Sequence, residues 1–216
     1  MVRHYPALLV LRGRLCVVAG GGDVAARKIA PLLACEARVR AVAPAFSPTV
    51  AALGAAGRVE LVPRAYQMGD LAGATLAIAA TDDPEINRAV WREAEARGVL
   101  VNVVDDPEHC TFTVPASLRR GPLLLTASTD GASPALARAI RERLEDEFGP
   151  EWGTFAAWLG ELRGRVKASF AEPAGRERVW RALLQSDVLE LLRAGEEARA
   201  RARVEEIVRQ MSEEAR

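Results

Sequence analysis

Apolar positions along the first hundred residues follow two alternating rhythms. Short apolar-rich runs at Leu15 to Ala19, Ala37 to Ala43, Val59 to Val62, Thr75 to Ala80 and Leu100 to Val104 have the length and β-branched content of strands. The run from Thr75 to Ala80 is apolar after its first residue, which predicts a strand buried on both faces. Between these runs, Val24 to Leu33 carries apolar residues at helical spacing. Ser47 to Ala56 reads as a helix with Pro48 at its first position, and Asp82 or Asp83 caps a helix opened by Pro84 and running to Arg97. Strands and helices in alternation predict an α/β fold with a doubly wound parallel sheet. Ahead of it, Val2 to Val10 reads as an edge strand or extended arm, followed by a turn at Arg12 to Arg14.

After Asp105 the rhythm changes. Thr111 to Val114 and Leu123 to Ser128 read as two strands joined by a short basic connection, Leu118 to Pro122, with no helix between them. Such a pair needs other surfaces to cover it. Ser133 and Pro134 then open a helix over Ala135 to Phe148, with apolar residues at 136, 140 and 144. From Pro150 onward the pattern is helical throughout: Trp152 to Phe170, Gly175 to Gln185, Asp187 to Arg193, and Glu196 to Arg216. The last of these has Val204, Ile207, Val208 and Met211 as a narrow apolar stripe. The chain divides on this reading into 1–113, 114–149 and 150–216.

Composition narrows the function classes. With 29 basic and 29 acidic side chains among 216 residues, there is no basic excess of the kind that nucleic-acid and membrane-surface binders need. Cys16, Cys35 and Cys110 are too few and too scattered for a disulfide framework or a Cys-x-x-Cys metal site, and Cys16 and Cys35 are expected as small core residues. No metal site is read. No stretch approaches a membrane span and the N-terminus has no leader pattern, so the expected location is the cytoplasm.

The chemistry is concentrated at LCVVAGGGDVAARK, residues 15 to 28, where an apolar strand stops at three glycines and a helix begins. Gly20, Gly22 and Ala25 fit the G-x-G-x-x-G/A fingerprint of dinucleotide binding. Its first glycine permits the turn, its second admits the pyrophosphate to the backbone, and its third small residue lets helix pack on strand. Gly21, Asp23 and Val24 complete the loop, with Asp23 read as a helix cap or a solvent-facing carboxylate. In a doubly wound sheet the ligand lies beyond the carboxyl ends of the strands, which adds Ala43 and Pro44, Thr81 and Asp82, and Asn102 and Val104 as cofactor-binding candidates. No carboxylate stands at the end of the second strand to grip a ribose, and the lack of an Arg there favours NAD over NADP. Asp105 and Asp106 follow the fifth strand, where a nicotinamide would project. Two readings stand for them, a general base accepting a proton as hydride leaves and a turn former ahead of Pro107. His109 reads as structural or surface. A Tyr-x-x-x-Lys pair is absent, since Leu9 and Asp70 stand four positions after Tyr5 and Tyr66.

GGGDVAARK at 20 to 28, ATDD at 80 to 83, NVVDDPEHCTFTVPA at 102 to 116 and STDGASPALAR at 128 to 138 together resemble the precorrin-2 dehydrogenase and sirohydrochlorin ferrochelatase family of sirohaem synthesis. The resemblance covers about residues 5 to 150. It implies a Rossmann NAD-binding domain, a small α+β dimerisation segment and an all-helical C-terminal domain, and no methyltransferase domain in a chain of this length. The implied reaction is oxidation of precorrin-2 to sirohydrochlorin with NAD as hydride acceptor, followed in some members by Fe²⁺ insertion. It maps the family's important aspartate onto Asp105, as proton acceptor in oxidation and in chelation. Thr129 falls where a relative has a modified serine, which leaves that regulation open. A homodimer and a substrate with eight carboxylates are implied, so Arg119, Arg120 and Arg138, with Thr129 and Ser133, are the substrate-binding candidates. For Arg119, Arg120, Arg138 and Arg141, exposed charge on a turn and a helix face is the alternative reading. From a different class, the same sheet would serve a non-catalytic NAD-sensing regulatory domain.

Overall fold

The strands β1 (Leu15–Ala19), β2 (Arg38–Val42), β3 (Val59–Val62), β4 (Leu76–Ala79) and β5 (Leu100–Val103) form one parallel sheet in the order β3-β2-β1-β4-β5. The computed structural model describes residues 3–214. Three helices cover the sheet: α1 (Asp23–Ala34), α2 (Pro48–Ala55) and α3 (Pro84–Arg97). Successive strand residues point to opposite faces, and both faces are covered. Cys16, Val18, Val39, Ala41, Leu76 and Ile78 meet Ile29 and Leu32 of α1 and Val50 of α2. Val17, Ala19, Val42, Ala77, Ala79 and Val101 meet Val90 and Ala94 of α3. Two apolar faces explain why the strands show so little polar alternation. The helices start where their caps dictate: Ser47 Oγ accepts from Val50 N at 3.4 Å, and the Asp83 carboxylate accepts from Glu85 N at 2.8 Å. Each such cap is worth about 1 kcal/mol.

Tyr5–Val114 forms one compact unit around this sheet, and a second unit is built on Pro115–Arg216. In the second, β6 (Ala116–Arg120) and β7 (Leu123–Ala127) make an antiparallel hairpin with Arg120 opposite Leu123. Thr111 to Val114 is therefore not a strand, and the basic stretch expected to connect two strands is largely a strand itself. The turn is only Gly121 and Pro122, with Gly121 at φ +53°, a conformation open to glycine. Thr111 instead docks beside β5, its N–H donating to Val101 O at 2.8 Å and its hydroxyl accepting from Val101 N at 2.8 Å. Phe112 packs into the core of the sheet.

Helix α4 (Pro134–Glu147) packs on the hairpin. Its 136–140–144 stripe is not a buried one: Leu136 and Ile140 are 52% and 38% exposed, and Ala137 is the buried residue. A methyl side chain lets the helix approach the strands and leaves the larger apolar residues outside. Behind it, α5 (Pro150–Ser169), α6 (Pro173–Leu184), α7 (Val188–Arg193) and α8 (Glu197–Glu214) share one core. Phe155, Trp158, Leu162 and Val166 of α5 repeat at helical spacing, and Val204, Ile207 and Val208 of α8 pack there as their stripe requires, with Met211 partly buried at its edge.

Other readings are revised. Residues 3–10 are irregular, neither paired nor helical, while Val2 lies outside the described residues. Cys35 is exposed, because it follows the last turn of α1 rather than facing the sheet; Cys16 is buried. In the second unit, α5 crosses the hairpin at Gly153, where a Cβ would stand 2.8 Å from the Arg120 carbonyl carbon. Gly153→Ala must push α5 off β6 and is expected to lower the melting temperature by roughly 4–8 °C, measured calorimetrically.

Candidate functional site

The three glycines after β1 are there for three different reasons. Gly20 has φ +136°, and a Cβ on it would collide with the Ala80 carbonyl oxygen at the end of β4. Gly21 lies so close to the segment after β2 that a Cβ would collide with Ala45 O and stand 2.9 Å from Ala43 Cβ; its own carbonyl accepts from Ser47 N at 2.8 Å. At Gly22 a Cβ would meet nothing within 4 Å, and φ is an ordinary −83°. Packing therefore demands the first two glycines and not the third. Gly22 is the N-cap of α1, no side chain caps that helix, and the first intrahelical bond runs from Ala26 N to Gly22 O. The N–H groups of the first turn are thus left to an anion, which a helix N-terminus favours.

A cavity of about 590 Å³ opens above this turn. Of the cofactor-binding candidates, Gly20, Gly21, Gly22, Asp23, Val24, Ala43, Pro44, Thr81 and Asp82 line it. Ala25 is fully buried beneath, against the sheet, which is the place a small third fingerprint residue takes. Asn102 and Val104 stand outside the lining: the Asn102 amide donates to Phe112 O at 3.1 Å, tying down the segment after β5, and Val104 packs on the core. The walls also contain Asp83, which follows the fourth strand as expected of a ligand-side residue, and Ala65, Tyr66 and Ile86, which sequence reasoning missed. Ile86 was within reach of it, standing in the first turn of α3. Ala65 and Tyr66 sit in a long irregular connection, where periodicity carries no signal. Among the described residues no Lys or Arg lines the cavity, whereas Asp23, Asp82 and Asp83 do. Its size and its bare helix N-terminus fit a dinucleotide.

Asp105 stands at the carboxyl edge of the sheet, directly after β5 and Val104, with φ +60°. It is exposed, and it occupies the turn closed by Asp106 N donating to Val103 O at 3.3 Å. Aspartate is among the few non-glycine residues that tolerate this region. Asp106 takes a different role: its carboxylate meets His109 Nδ1 at 2.7 Å, and the imidazole sits edge-on to Trp91, 4.4 Å between ring centres. The Asp106 carboxylate is thus engaged by His109, and the Asp105 carboxylate is free of hydrogen bonds among the described residues. Those residues hold no group of three His, Cys, Asp or Glu side chains arranged for a metal ion.

One wall of the cavity rests on a buried acid. Glu93 of α3 is 1% exposed, and its carboxylate accepts from Tyr66 Oη at 2.5 Å, Gly69 N at 2.9 Å, Leu71 N at 3.3 Å and Arg97 Nε at 2.6 Å. Burial alone would raise its pKa, but the bonds from Tyr66, Gly69, Arg97 and Leu71 outweigh burial and hold it below the usual range. Burial, and then the Glu93 carboxylate, push the Tyr66 phenol up. Asp70 is likewise held low, first by the two-pronged hydrogen bond of Arg64 at 2.6 and 2.8 Å and also by Gln67 N. Both carboxyls are depressed in the folded chain relative to about 4 in an unfolded one. Their stabilisation is therefore complete above that pH and lost as pH falls through the folded values. Urea midpoints are expected to stay level down to about pH 5 and to fall below about pH 4, with a shallower fall in Glu93→Gln.

The substrate-binding candidates all lie in the second unit. Arg120 Nε donates to Phe148 O at 3.1 Å. Thr129 Oγ1 accepts from Ser133 N at 3.0 Å, and Ser133 Oγ caps α4 by accepting from Leu136 N at 3.1 Å. Arg141 is paired with Glu142 and Glu145. Arg119 and Arg138 are exposed and form no ion pair among the described residues. Also among the described residues, no helix is long and apolar enough to cross a membrane.

Comparison with known proteins places this architecture. Residues 7–116 match the family described as "Putative NAD(P)-binding", residues 120–147 "Sirohaem biosynthesis protein central", and residues 151–208 "Sirohaem synthase dimerisation region". The chain is 43% identical over 204 residues to the sirohaem synthase of Chromobacterium violaceum, covering 94% of this chain and 43% of the relative. It is 41% identical over 203 residues to that of Methylobacillus flagellatus, covering 94% and 44%. It thus spans less than half the length of these curated relatives. Among solved structures, SirC, a precorrin-2 dehydrogenase, superposes with a TM-score of 0.78 at 25% identity, covering 97% of this chain and all of the other. A five-stranded sheet with a bare glycine turn, followed in order by the central and dimerisation regions, leads to one conclusion: the chain belongs to the family of NAD(P)-binding modules found in sirohaem synthases.

Proposed function

We propose that this protein oxidises precorrin-2 to sirohydrochlorin with NAD as hydride acceptor. The observation that carries the reading is Gly22, a glycine with no packing reason of its own, set at the uncapped N-terminus of α1 in the floor of the cavity. The first-turn N–H groups would hold a pyrophosphate, and Ala43, Pro44, Ala65 and Tyr66 would flank the adenosine side, beyond β2 and β3. The bound nucleotide supplies the hydride acceptor. The choice of NAD over NADP is supported by the lining beside Ala43, Pro44, Ala65 and Tyr66, where among the described residues a 2′-phosphate would find no Lys or Arg, and Arg64 is occupied by Asp70.

Asp105 is the general base in this reading. Oxidation removes a hydride and a proton from the macrocycle, so a carboxylate is needed where the hydride leaves, and Asp105 stands at the edge where a nicotinamide projects. Arg119 and Arg138, unpaired, suit a substrate rich in carboxylates; Arg120, Thr129 and Ser133 would shape its surroundings while serving the hairpin and α4. The names of the longer relatives support a second step, insertion of Fe²⁺ as substrate metal, with Asp105 taking up pyrrole protons. A homodimer accords with the dimerisation region and with the exposed Leu136 and Ile140. The division of labour would run 1–113 for the nucleotide, 114–149 and 150–216 for assembly, in the cytoplasm.

The test is anaerobic incubation of precorrin-2 with NAD or NADP. One NADH per sirohydrochlorin, with NAD strongly preferred, is the expected result. Nucleotide binding with no turnover would favour an NAD-sensing domain instead. Adding Fe²⁺ or Co²⁺ to sirohydrochlorin, with insertion followed by absorbance, tests the second step.

A further inference from the structure

The connection from β3 to β4 runs 13 residues, 63 to 75, without strand or helix, yet it forms a wall of the cavity through Ala65 and Tyr66. A connection of that length is ordinarily mobile. Here it is clasped twice. Arg64 and Gln67 N converge on Asp70, closing the loop on itself. Tyr66 Oη and the N–H groups of Gly69 and Leu71 converge on the buried Glu93 carboxylate of α3, while Arg97 completes its coordination. A carboxylate taken out of water needs such partners, and three of its four come from this one loop. The first turn of α3 lines the same cavity through Ile86, with its cap Asp83. One helix therefore fixes two walls.

We infer that Glu93, acting through Tyr66, is a positioning residue for the adenosine half of the nucleotide. In a sheet ordered β3-β2-β1-β4-β5, the half built on β1 to β3 receives the adenosine, and Ala65 and Tyr66 follow β3 directly. Tyr66 lines the cavity and donates its hydroxyl to Glu93, so the loop's place depends on a group that touches no ligand. This rests on the nucleotide reading of the cavity, and it adds that the wall is held from behind by Glu93 as well as by its own Arg64–Asp70 clasp. A bound adenosine would meet a preformed surface and spare the ordering of a long loop.

The experiment is isothermal titration of the full chain with ADP-ribose, beside KM and kcat for NAD, in the native protein, Tyr66→Phe, Glu93→Gln and Glu93→Asp. Tyr66→Phe keeps the ring and removes one hydrogen bond. Expected are an ADP-ribose dissociation constant and an NAD KM raised about tenfold in Tyr66→Phe and further in Glu93→Gln, with kcat at saturating NAD held within about twofold. Glu93→Asp, which keeps the charge, is expected to lie between native and Glu93→Gln. Lowered melting temperatures with unchanged ADP-ribose affinity and KM would overturn the inference, because that is what a merely structural acid gives. Failure of the native protein to bind ADP-ribose would instead overturn the nucleotide reading itself.

Discussion

Asp105→Asn is expected to leave the protein folded and able to bind NAD while cutting NADH formation from precorrin-2 about 10²–10⁴-fold. The size follows from removing a proton acceptor that no neighbour replaces: Asp106 is engaged by His109 at 2.7 Å, and the imidazole in turn packs on Trp91. Asparagine is the right replacement because the residue sits at φ +60°, a region that Asn tolerates and most side chains do not. Asp105→Ala would mix lost chemistry with backbone strain on the order of 1 kcal/mol. The measurement is steady-state NADH formation paired with NAD titration. Loss of turnover with native affinity supports the general base, whereas undiminished turnover removes that role from Asp105 without touching the cofactor site.

The glycine turn gives the second large effect, and it separates folding from binding. Gly21→Ala drives a methyl group into Ala45 O and Ala43 Cβ, backbone and buried side chain that have nowhere to go. It is expected to destabilise by about 1–3 kcal/mol and to disturb the segment after β2 that borders the cavity. Gly22→Ala meets no protein atom within 4 Å and asks for no unusual φ, so its melting temperature is expected to match the native value. Its methyl group instead stands at the bare N-terminus of α1, where the anion is to bind, and NAD affinity is expected to fall about 10–100-fold, roughly 1.4–2.8 kcal/mol. Melting curves and NAD titration on the pair decide it. Unchanged NAD affinity in Gly22→Ala would mean that the helix end carries no phosphate.

The contrast between those two glycines also marks what the sequence could tell. The fingerprint spacing selects Gly20, Gly22 and Ala25 and treats Gly21 as free, whereas the close approach of Ala45 makes Gly21 obligatory. Spacing encodes what a ligand needs, and a tertiary contact from 24 residues away does not appear in it. The parallel sheet was legible because strands apolar on both faces leave a run without polar alternation. The hairpin was misplaced because Thr111 and Thr113 alternate with apolar residues as a strand would, while Arg119 and Arg120 look like a loop; the two-residue Gly121-Pro122 turn was the better signal. On α4, spacing located a stripe but not its direction, and Ala137 rather than Leu136 or Ile140 faces the hairpin. Glu93 was invisible: an acid on a helix reads as solvent-facing, and three of its four donors lie more than twenty residues upstream.

The central claim, hydride transfer from the macrocycle to a nucleotide seated on this sheet, is tested most directly with precorrin-2 deuterated at the carbon to be oxidised, incubated anaerobically with NAD and the native protein. Deuterium is expected to appear in the NADH formed, with one labelled nucleotide per sirohydrochlorin. Sirohydrochlorin formed while the label stays out of the nucleotide, or no NADH at all, would contradict it.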